Sequence, residues 1–299
     1  MNHLSDFLIY IFKIKKYSKN TVDAYRTDLD QFLDFLKKEL INSKIDFNKI
    51  SKKEIKSYIL FLSEMKLSEK SINRKLASIK SFFRFLYKKK LVKSNPSSNI
   101  TGLKIPKKLP RFIQNGILFK VLEYNSNDDW ETIRDKTILE LFFSTGIRLS
   151  ELIFLDLKDV EIEDKILKVI GKGNKERIVP FGNKVCEALS KYLKFRNQYV
   201  SSQIKDFPLF ISKKGVRISH RTVQLRLKKL FNKVSLNEFT PHLMRHTFAT
   251  QMINNGADIR AVQEILGHSS LSSTQIYTHL KKKKLKEFFD KAHPHAWKF

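Results

Sequence analysis

Apolar side chains recur at spacings of three and four along the N-terminal part of the chain, which is the repeat of an amphipathic helix packed on a core. One such stretch runs from Thr21 to Ile41 and another from Ile72 to Leu86. Between them, Ser51 and Glu54 form a capping-box pattern at the start of a further helical stretch. We therefore predict that residues 1–92 fold as an all-helical bundle.

This periodicity stops between residues 93 and 110. Several prolines and Gly102 stand there among Ser, Asn and Lys, which is the composition of an exposed linker. We place the domain boundary in this segment, so that residues 111–299 form a second domain. A chain of 299 residues is long enough for two domains that each bury a core.

The second domain combines helical patterns with one hairpin signal. The hairpin is indicated by the apolar stretch Ile166–Ile170, a turn at Gly171–Asn174, and the stretch Arg177–Pro180. Lys172 lies on the turn. The predicted fold class is therefore mainly α with a small antiparallel β-sheet in the second domain.

Charge narrows the choice of partners. The chain has 58 Lys and Arg against 30 Asp and Glu, a net charge of +28, and nucleic acid is the polyanion that best fits such a surface, although membranes and heparin would also attract it. Arg74, Lys75 and Arg84 interrupt the last apolar pattern of the first domain. They are candidates for DNA contact, while the pattern alone favours side chains that are simply solvated.

The cysteine count and the lengths of the apolar runs indicate the compartment in which the protein works. Cys186 is the single cysteine, so the chain forms no internal disulfide, which is typical of a reducing cytoplasm. No apolar run approaches the roughly 20 residues of a membrane span, and the run from Phe7 to Phe12 is too short for a signal peptide. We expect a cytoplasmic, soluble protein with no membrane partner.

Two pairs of residues could bind a phosphate group. Thr240–Pro241 is a typical helix start, and His242 and Arg245 share a face close to it, where free amides and the helix dipole favour an anion. Arg148 follows a helix that ends at a glycine, with Glu151 three residues further on. Alone, the His242 and Arg245 pair is more typical of a surface or capping arrangement, and Arg148 with Glu151 could simply be a surface ion pair.

A histidine and a tyrosine complete the candidate chemistry. His268 follows a short apolar helix that ends at Gly267, and Tyr277 lies in a capped helical turn. Because the pKa of tyrosine is about 10, attack on phosphorus would need nearby cations and a base. Taken alone, Tyr277 is more typical of a packing aromatic and His268 of a helix terminator. No cluster of carboxylates indicates a metal site, and we expect no cofactor.

Together these residues resemble the catalytic constellation of the tyrosine recombinase, or phage integrase, family, in which arginine, lysine, His-x-x-Arg, histidine and tyrosine follow in this order. Every position is filled, by Arg148, Lys172, His242, Arg245, His268 and Tyr277. The surrounding strings TGIRLSEL at 145–152, GKGNKER at 171–177 and TPHLMRHTFAT at 240–250 are similar to those of the Xer type.

The resemblance implies a role for each residue. Arg148, Arg245 and His268 would hold the scissile phosphate. Tyr277 would attack it and form a 3′-phosphotyrosyl link, and Lys172 would protonate the leaving 5′-oxygen. Rejoining would need no ATP. His242 would act as the base for Tyr277, and Glu151 would orient neighbouring groups.

The resemblance also implies an architecture and partners. Residues 1–92 would be a core-binding domain that forms a C-shaped, two-domain clamp around duplex DNA with the catalytic domain. The chain would act as a homo- or hetero-tetramer on two double-stranded recombination sites, with a second Xer-type recombinase and a DNA translocase as further partners. The expected role is to resolve chromosome or plasmid multimers before segregation.

Three alternatives keep part of this picture: an integrase or transposase of a mobile element, a type IB topoisomerase-like enzyme, and a non-catalytic DNA-binding protein. The first core helix starts near the beginning of the chain, which favours the Xer type over integrases with an extra arm-binding domain. The apolar residues after Tyr277, among them Leu285, Phe288 and Phe289, either fold back on their own domain or dock on a neighbouring subunit.

Overall fold

The computed structural model divides the chain into two compact units, residues 1–108 and 109–299. The residues it describes are 3–40, 45–106, 112–123, 129–171, 174–198, 207–234, 239–267 and 279–293. Within these ranges no helix is both long enough and apolar enough to cross a membrane.

The described part of the N-terminal unit is helical, as predicted. Its elements are α1 (His3–Ile9), a π-helical segment (Tyr10–Ile14), α2 (Lys19–Leu40), α3 (Lys52–Glu64) and α4 (Glu69–Lys88). The capping box at the start of α3 is confirmed. The backbone N–H of Ser51 donates to Oε2 of Glu54 at 2.7 Å, and the backbone N–H of Lys53 donates to Oγ of Ser51 at 3.1 Å.

Helices α2 and α4 share a fully buried carboxylate, Asp28. Arg74 donates to it, as do Nζ of Lys75 at 3.1 Å and Oγ of Ser78 at 2.9 Å. A buried carboxylate without such donors would be costly. Lys75 is only 5% exposed, so the interpretation of this lysine as a solvated side chain is wrong. The need of Asp28 for a cation outweighs the preference of the lysine for water.

Part of the segment predicted as a linker packs on the N-terminal unit. Ile100 is 4% exposed and belongs to the same core as Val92. Asn73 on α4 holds the backbone of Leu103, accepting from its N–H at 2.7 Å and donating from Nδ2 to its carbonyl oxygen at 2.8 Å. Isolated apolar residues in a polar stretch therefore act as anchors, and the segment differs from an exposed linker at these positions.

The C-terminal unit contains α5 (Asn115–Glu123), α6 (Trp130–Thr145), α7 (Leu149–Phe154), a 3₁₀ turn (Leu157–Asp159), α8 (Asn183–Arg196), α9 (His220–Asn232), α10 (Pro241–Asn254), α11 (Ile259–Leu266) and α12 (His279–Ala292). An antiparallel sheet of order β1-β2-β3 accompanies them, formed by β1 (Val160–Glu161), β2 (Ile166–Ile170) and β3 (Glu176–Pro180). The predicted fold class and the predicted hairpin are confirmed.

Three helix ends bring the site residues to their places. The N-cap of α10 is Thr240, as predicted, and its Oγ1 accepts from the backbone N–H of Leu243 at 3.1 Å. Helices α6 and α11 end at the predicted glycines, Gly146 with φ 58° and Gly267 with φ 67°. A Cβ at Gly146 would lie 2.5 Å from Phe248. The chain turns away at both glycines, so the last carbonyl groups of α6 and α11 are open to other donors.

The end of α12 packs on the unit to which it belongs. Phe289 and His293 are fully buried, and their rings stack with centroids 4.6 Å apart. Nδ2 of Asn255, the C-cap residue of α10, donates to the carbonyl oxygen of Ala292 at 2.8 Å. At Phe289 and His293, therefore, the structure has the fold-back on its own unit. The side chain of Leu285 and residues 294–299 lie outside the described residues.

Candidate active site

Arg148 stands at the junction between α6 and α7. Its backbone N–H donates to Oε2 of Glu151 at 2.8 Å, and its Nη1 donates to Oε1 of the same carboxylate at 2.7 Å. Its Nη2 donates to the carbonyl oxygen of Gly267, where α11 ends, at 3.1 Å. The side chain remains 33% exposed, so this guanidinium can still reach a ligand.

Arg245 approaches the same place from α10 and is only 9% exposed. Its Nη1 donates to the carbonyl oxygen of Gly146 at 2.8 Å, and its Nη2 donates to the carbonyl oxygen of Leu266. Both acceptors are at the C-terminal ends of helices, where carbonyls lack helical partners and the helix dipole is negative. The structure thus brings together Arg148 and Arg245, as the sequence predicted.

A third arginine, Arg177 on β3, completes the cluster. Its Nη1 and Nη2 donate to the two carboxylate oxygens of Glu151, each at 2.8 Å, and its Nε donates to the carbonyl oxygen of Ile265 at 2.7 Å. The Glu151 side chain is only 3% exposed. Glu151 is therefore a buried carboxylate that accepts from both Arg148 and Arg177, and not part of a surface ion pair.

These contacts fix the charge state of the cluster. Burial alone would raise the pKa of Glu151, but hydrogen bonds and charge from Arg177, followed by hydrogen bonds from Arg148, lower the pKa to about 2. Burial, and then the positive charges of Arg148 and Arg177, lower the pKa of Arg245 to about 10. Glu151 and Arg245 are therefore both charged near neutral pH. Among the described residues here, three guanidinium groups surround one carboxylate, and an anion would balance the excess charge.

His242 lies in the first turn of α10 and is exposed. It stands three positions before Arg245, so the two residues are neighbours on the helix surface. The positive end of a helix dipole favours an anion, and His242 stands at this end of α10. His242 is accordingly accessible to a substrate that contacts this end of α10.

Three of the predicted residues lie outside the part of the chain that the structure describes: Lys172, His268 and Tyr277. The residues directly before two of them are described. A Cβ at Gly171 would lie 3.5 Å from Nη1 of Arg177 and from Oε1 of Glu151. A Cβ at Gly267 would lie 3.1 Å from the Arg177 side chain. The segments that lead to Lys172 and His268 therefore start beside the arginine cluster.

The N-terminal candidates for DNA contact have different surroundings. Arg84 is exposed on α4, and the Arg74 side chain is 53% exposed although it pairs with Asp28. The side chain of Lys75 is 7% exposed and donates to Asp28 and Gln31. Arg74 and Arg84 remain proposed DNA contacts because both are exposed. Lys75 does not, because its buried side chain holds α2 and α4 together.

Sequence reasoning treated Arg177 only as part of a strand and of a family string. The hairpin register, which the structure supplies, explains why this arginine is buried. Arg177 pairs with Val169, and directly opposed residues in an antiparallel pair point to the same face. Because Val169 is an apolar residue of the core face, its partner must also be buried, and a buried arginine requires acceptors.

The comparisons with known families cover both units. The chain matches the model of the phage integrase family over residues 118–284. It matches the model of the phage integrase N-terminal SAM-like domain over residues 4–90.

Similar proteins match over nearly the whole chain. The chain is 42% identical to a protein named tyrosine recombinase XerC from Thermodesulfovibrio yellowstonii, over 98% of this chain and 96% of that one. It is 39% identical to a protein of the same name from Leptospira interrogans, over 98% of this chain and 93% of that one.

Solved structures share the fold. The integrase of transposon Tn1549 in complex with a circular intermediate DNA superposes with a TM-score of 0.71 at 22% identity, over 96% of this chain and 99% of that one. The XerH site-specific recombinase bound to its difH substrate, in a pre-cleavage complex, has a TM-score of 0.69 at 23% identity, over 95% and 83%.

Proposed function

We propose that Arg148 and Arg245 hold the scissile phosphate for attack by Tyr277. The chain itself belongs to the phage integrase family and is a tyrosine site-specific DNA recombinase. One observation carries this proposal: the two guanidinium groups meet where α6 and α11 end. Each terminal nitrogen carries two hydrogens and donates one of them to the protein, so both groups keep N–H donors for a phosphate.

In the proposed reaction the phenolic oxygen of Tyr277 attacks phosphorus, and the bond from phosphorus to the 5′-oxygen breaks. The products are a 3′-phosphotyrosyl link and a free 5′-hydroxyl. Lys172 gives its proton to the departing oxygen, because an unprotonated alkoxide leaves poorly. Attack by a 5′-hydroxyl on the phosphotyrosyl link reverses the step, so the strand is rejoined without ATP.

The arginines act on the charge that builds up during this displacement. The planar forks of Arg148 and Arg245 neutralise the non-bridging oxygens, and His268 adds a donor. His242 is the base that takes the phenolic proton. Glu151 is the carboxylate that orients Arg148. Because Glu151 is hydrogen-bonded to the backbone and side chain of Arg148, it fixes the direction of that guanidinium.

The wider role follows from charge and similarity. A net charge of +28, with Arg74 and Arg84 exposed on α4, supports binding to a double-stranded recombination site. The chain acts as a tetramer on two such sites, alone or with a second Xer-type recombinase, and a DNA translocase controls it. It resolves chromosome or plasmid multimers before segregation. The similarity to relatives named tyrosine recombinase XerC supports this role.

Covalent trapping tests the nucleophile. On nicked fragments of the host chromosome, the cleaved piece diffuses away and the protein stays attached to DNA, which a denaturing gel detects. Tyr277→Phe removes only the phenolic oxygen, so it should bind DNA as the wild type does and form no adduct. The matched control is Tyr87→Phe, which alters a tyrosine that is 52% exposed on α4 and should leave the adduct at full strength.

Two outcomes would contradict the proposal. A full-strength adduct with Tyr277→Phe would mean that another residue is the nucleophile. The wild-type adduct should also form in EDTA, because arginines balance the phosphate charge in this mechanism. An adduct that disappears in EDTA and returns with magnesium would contradict that assignment.

A further inference from the structure

The side chain of Arg177 joins parts of the site that come from different regions of the chain. It donates to both oxygens of Glu151, next to Arg148, and to the carbonyl oxygen of Ile265 in α11. Two glycines also lie close to it, since a Cβ at Gly171 or Gly267 would stand 3.5 Å or 3.1 Å from its guanidinium. These glycines directly precede two proposed catalytic residues, Lys172 and His268.

Arg177 differs from the proposed phosphate ligands in how its nitrogens are used. Arg245 donates to the protein from its two terminal nitrogens, whereas Arg177 donates from Nε, Nη1 and Nη2. The Arg177 side chain is 7% exposed, compared with 33% for Arg148. Arg177 is thus engaged by the protein at all three of its nitrogens, and it is less accessible to a ligand than Arg148.

The position of Arg177 in the hairpin connects its contacts to the turn that carries Lys172. It stands on β3 opposite Val169 of β2, and the backbone N–H of Gly171 donates to the carbonyl oxygen of Lys175 at 2.8 Å. The two strands are thus paired up to the turn that carries Lys172. Because the ladder connects them, a tie at Arg177 restrains the base of that turn.

We propose that Arg177 is a positioning residue that sets the place of Lys172 relative to the phosphate held by Arg148. It does so by tying the base of the hairpin to Glu151 and to the end of α11. This inference rests on the proposed function, in which Lys172 protonates the leaving oxygen. Arg177 itself touches no reacting atom, and its effect is on proton transfer.

The test uses the full chain and a nicked duplex that carries a site recovered by covalent trapping. One version has the ordinary 5′-oxygen at the scissile position, and the other has a bridging 5′-sulfur, which leaves without a proton. Arg177→Lys keeps the charge but cannot span both Glu151 and Ile265. We expect cleavage of the oxygen substrate to fall roughly 10- to 100-fold and the sulfur substrate to recover most of that loss. DNA binding should stay near the wild-type level.

Two comparisons separate positioning from general structural damage. Arg148→Lys acts on the phosphate, so sulfur should not rescue it. Arg134 is a fully buried arginine of the same unit that donates to Asp135 and to the carbonyl oxygen of Ile211. Arg134→Lys should lower the Tm and leave the ratio of sulfur to oxygen cleavage at the wild-type value. A raised ratio in this control would overturn the inference.

A second variant covers a loss of folding in Arg177→Lys. That variant is Arg177→Gln, which keeps a hydrogen-bond donor but is too short to reach both Glu151 and Ile265, so it should raise the same ratio of sulfur to oxygen cleavage. In the double variant of Lys172→Ala with Arg177→Lys, the two losses on the oxygen substrate should not add, because both act on one proton transfer.

The outcomes that overturn the inference are distinct from those that overturn the proposed function. If sulfur rescues Lys172→Ala but not Arg177→Lys, or if the two losses add, Arg177 does not position the acid and the proposed function stands. If sulfur fails to rescue Lys172→Ala, Lys172 is not the acid, and both the proposed function and this inference fail at that step.

Discussion

Replacing Glu151 by glutamine removes the negative charge from the centre of the arginine cluster. The pKa of this carboxyl is lowered from 4.5 to about 2, which at about 1.4 kcal/mol per pKa unit corresponds to roughly 3 kcal/mol in favour of the folded, charged form. Removing one partner of a buried ion pair costs about 3–5 kcal/mol in other proteins. We therefore expect Glu151→Gln to lower the free energy of unfolding of the C-terminal unit by about 3 kcal/mol at pH 7.

The sign of the pKa shift fixes the pH dependence. A carboxyl whose pKa is lowered by folding contributes its full stability above its unfolded pKa, and that contribution is lost as the pH falls toward the folded pKa. The difference between wild type and Glu151→Gln should therefore be constant at neutral pH. It should shrink as the pH falls from 4.5 toward about 2.

Urea unfolding followed by tryptophan fluorescence measures this difference, because Trp130 and Trp297 both belong to the C-terminal unit. The matched control is Glu187→Gln. The side chain of Glu187 is 66% exposed and pairs with Lys184 at 3.5 Å, so its loss should cost less than about 0.5 kcal/mol. A cost below about 1 kcal/mol for Glu151→Gln at pH 7, or a difference that does not shrink at low pH, would refute the reasoning.

Lys172→Ala should lower cleavage of ordinary DNA by roughly 100-fold or more, and a bridging 5′-sulfur should restore it. The same sulfur should not restore cleavage by Arg148→Ala. Equal rescue of the two variants on a cleavage gel would exclude Lys172 as the acid. Phe289→Ala should lower the free energy of unfolding by about 3–5 kcal/mol, whereas Phe288→Ala, at a residue 41% exposed, should cost less than about 1 kcal/mol. Truncation after Lys284 should lower the Tm and weaken binding to a single half-site. An unchanged Tm would mean that the tail docks on a neighbouring subunit instead.

The features that the sequence predicted correctly depend on residues a few positions apart. Thr240 caps α10 through the N–H of Leu243, and Gly146 and Gly267 end their helices because a left-handed residue is needed there. The hairpin follows from alternating apolar residues around a turn that contains glycine. In each case the residues that determine the cap, the helix end or the turn lie within a few positions of it.

The residues that sequence reasoning misjudged depend on distant partners. Lys75 is held by Asp28, 47 positions away, and Arg177 by Glu151, 26 positions away. An amphipathic pattern assigns charged residues to the solvent face, since it contains no information about a buried carboxylate on another element. Lys75 and Arg177 are buried because Asp28 and Glu151 are, and that is a property of how the helices and the hairpin pack.

Placing three guanidinium groups around one carboxylate is electrostatically unfavourable, and backbone carbonyls compensate for this without cancelling the charge. The carbonyl oxygens of Gly146, Ile265, Leu266 and Gly267 accept from the arginines. All lie where α6 and α11 end, so unpaired carbonyls and the negative ends of two helix dipoles stabilise the cations. Carboxylates in these places would hold the arginines equally well but would neutralise the site. Neutral acceptors keep it positively charged, so a phosphate would meet donors already oriented and little reorganisation would be needed as charge develops.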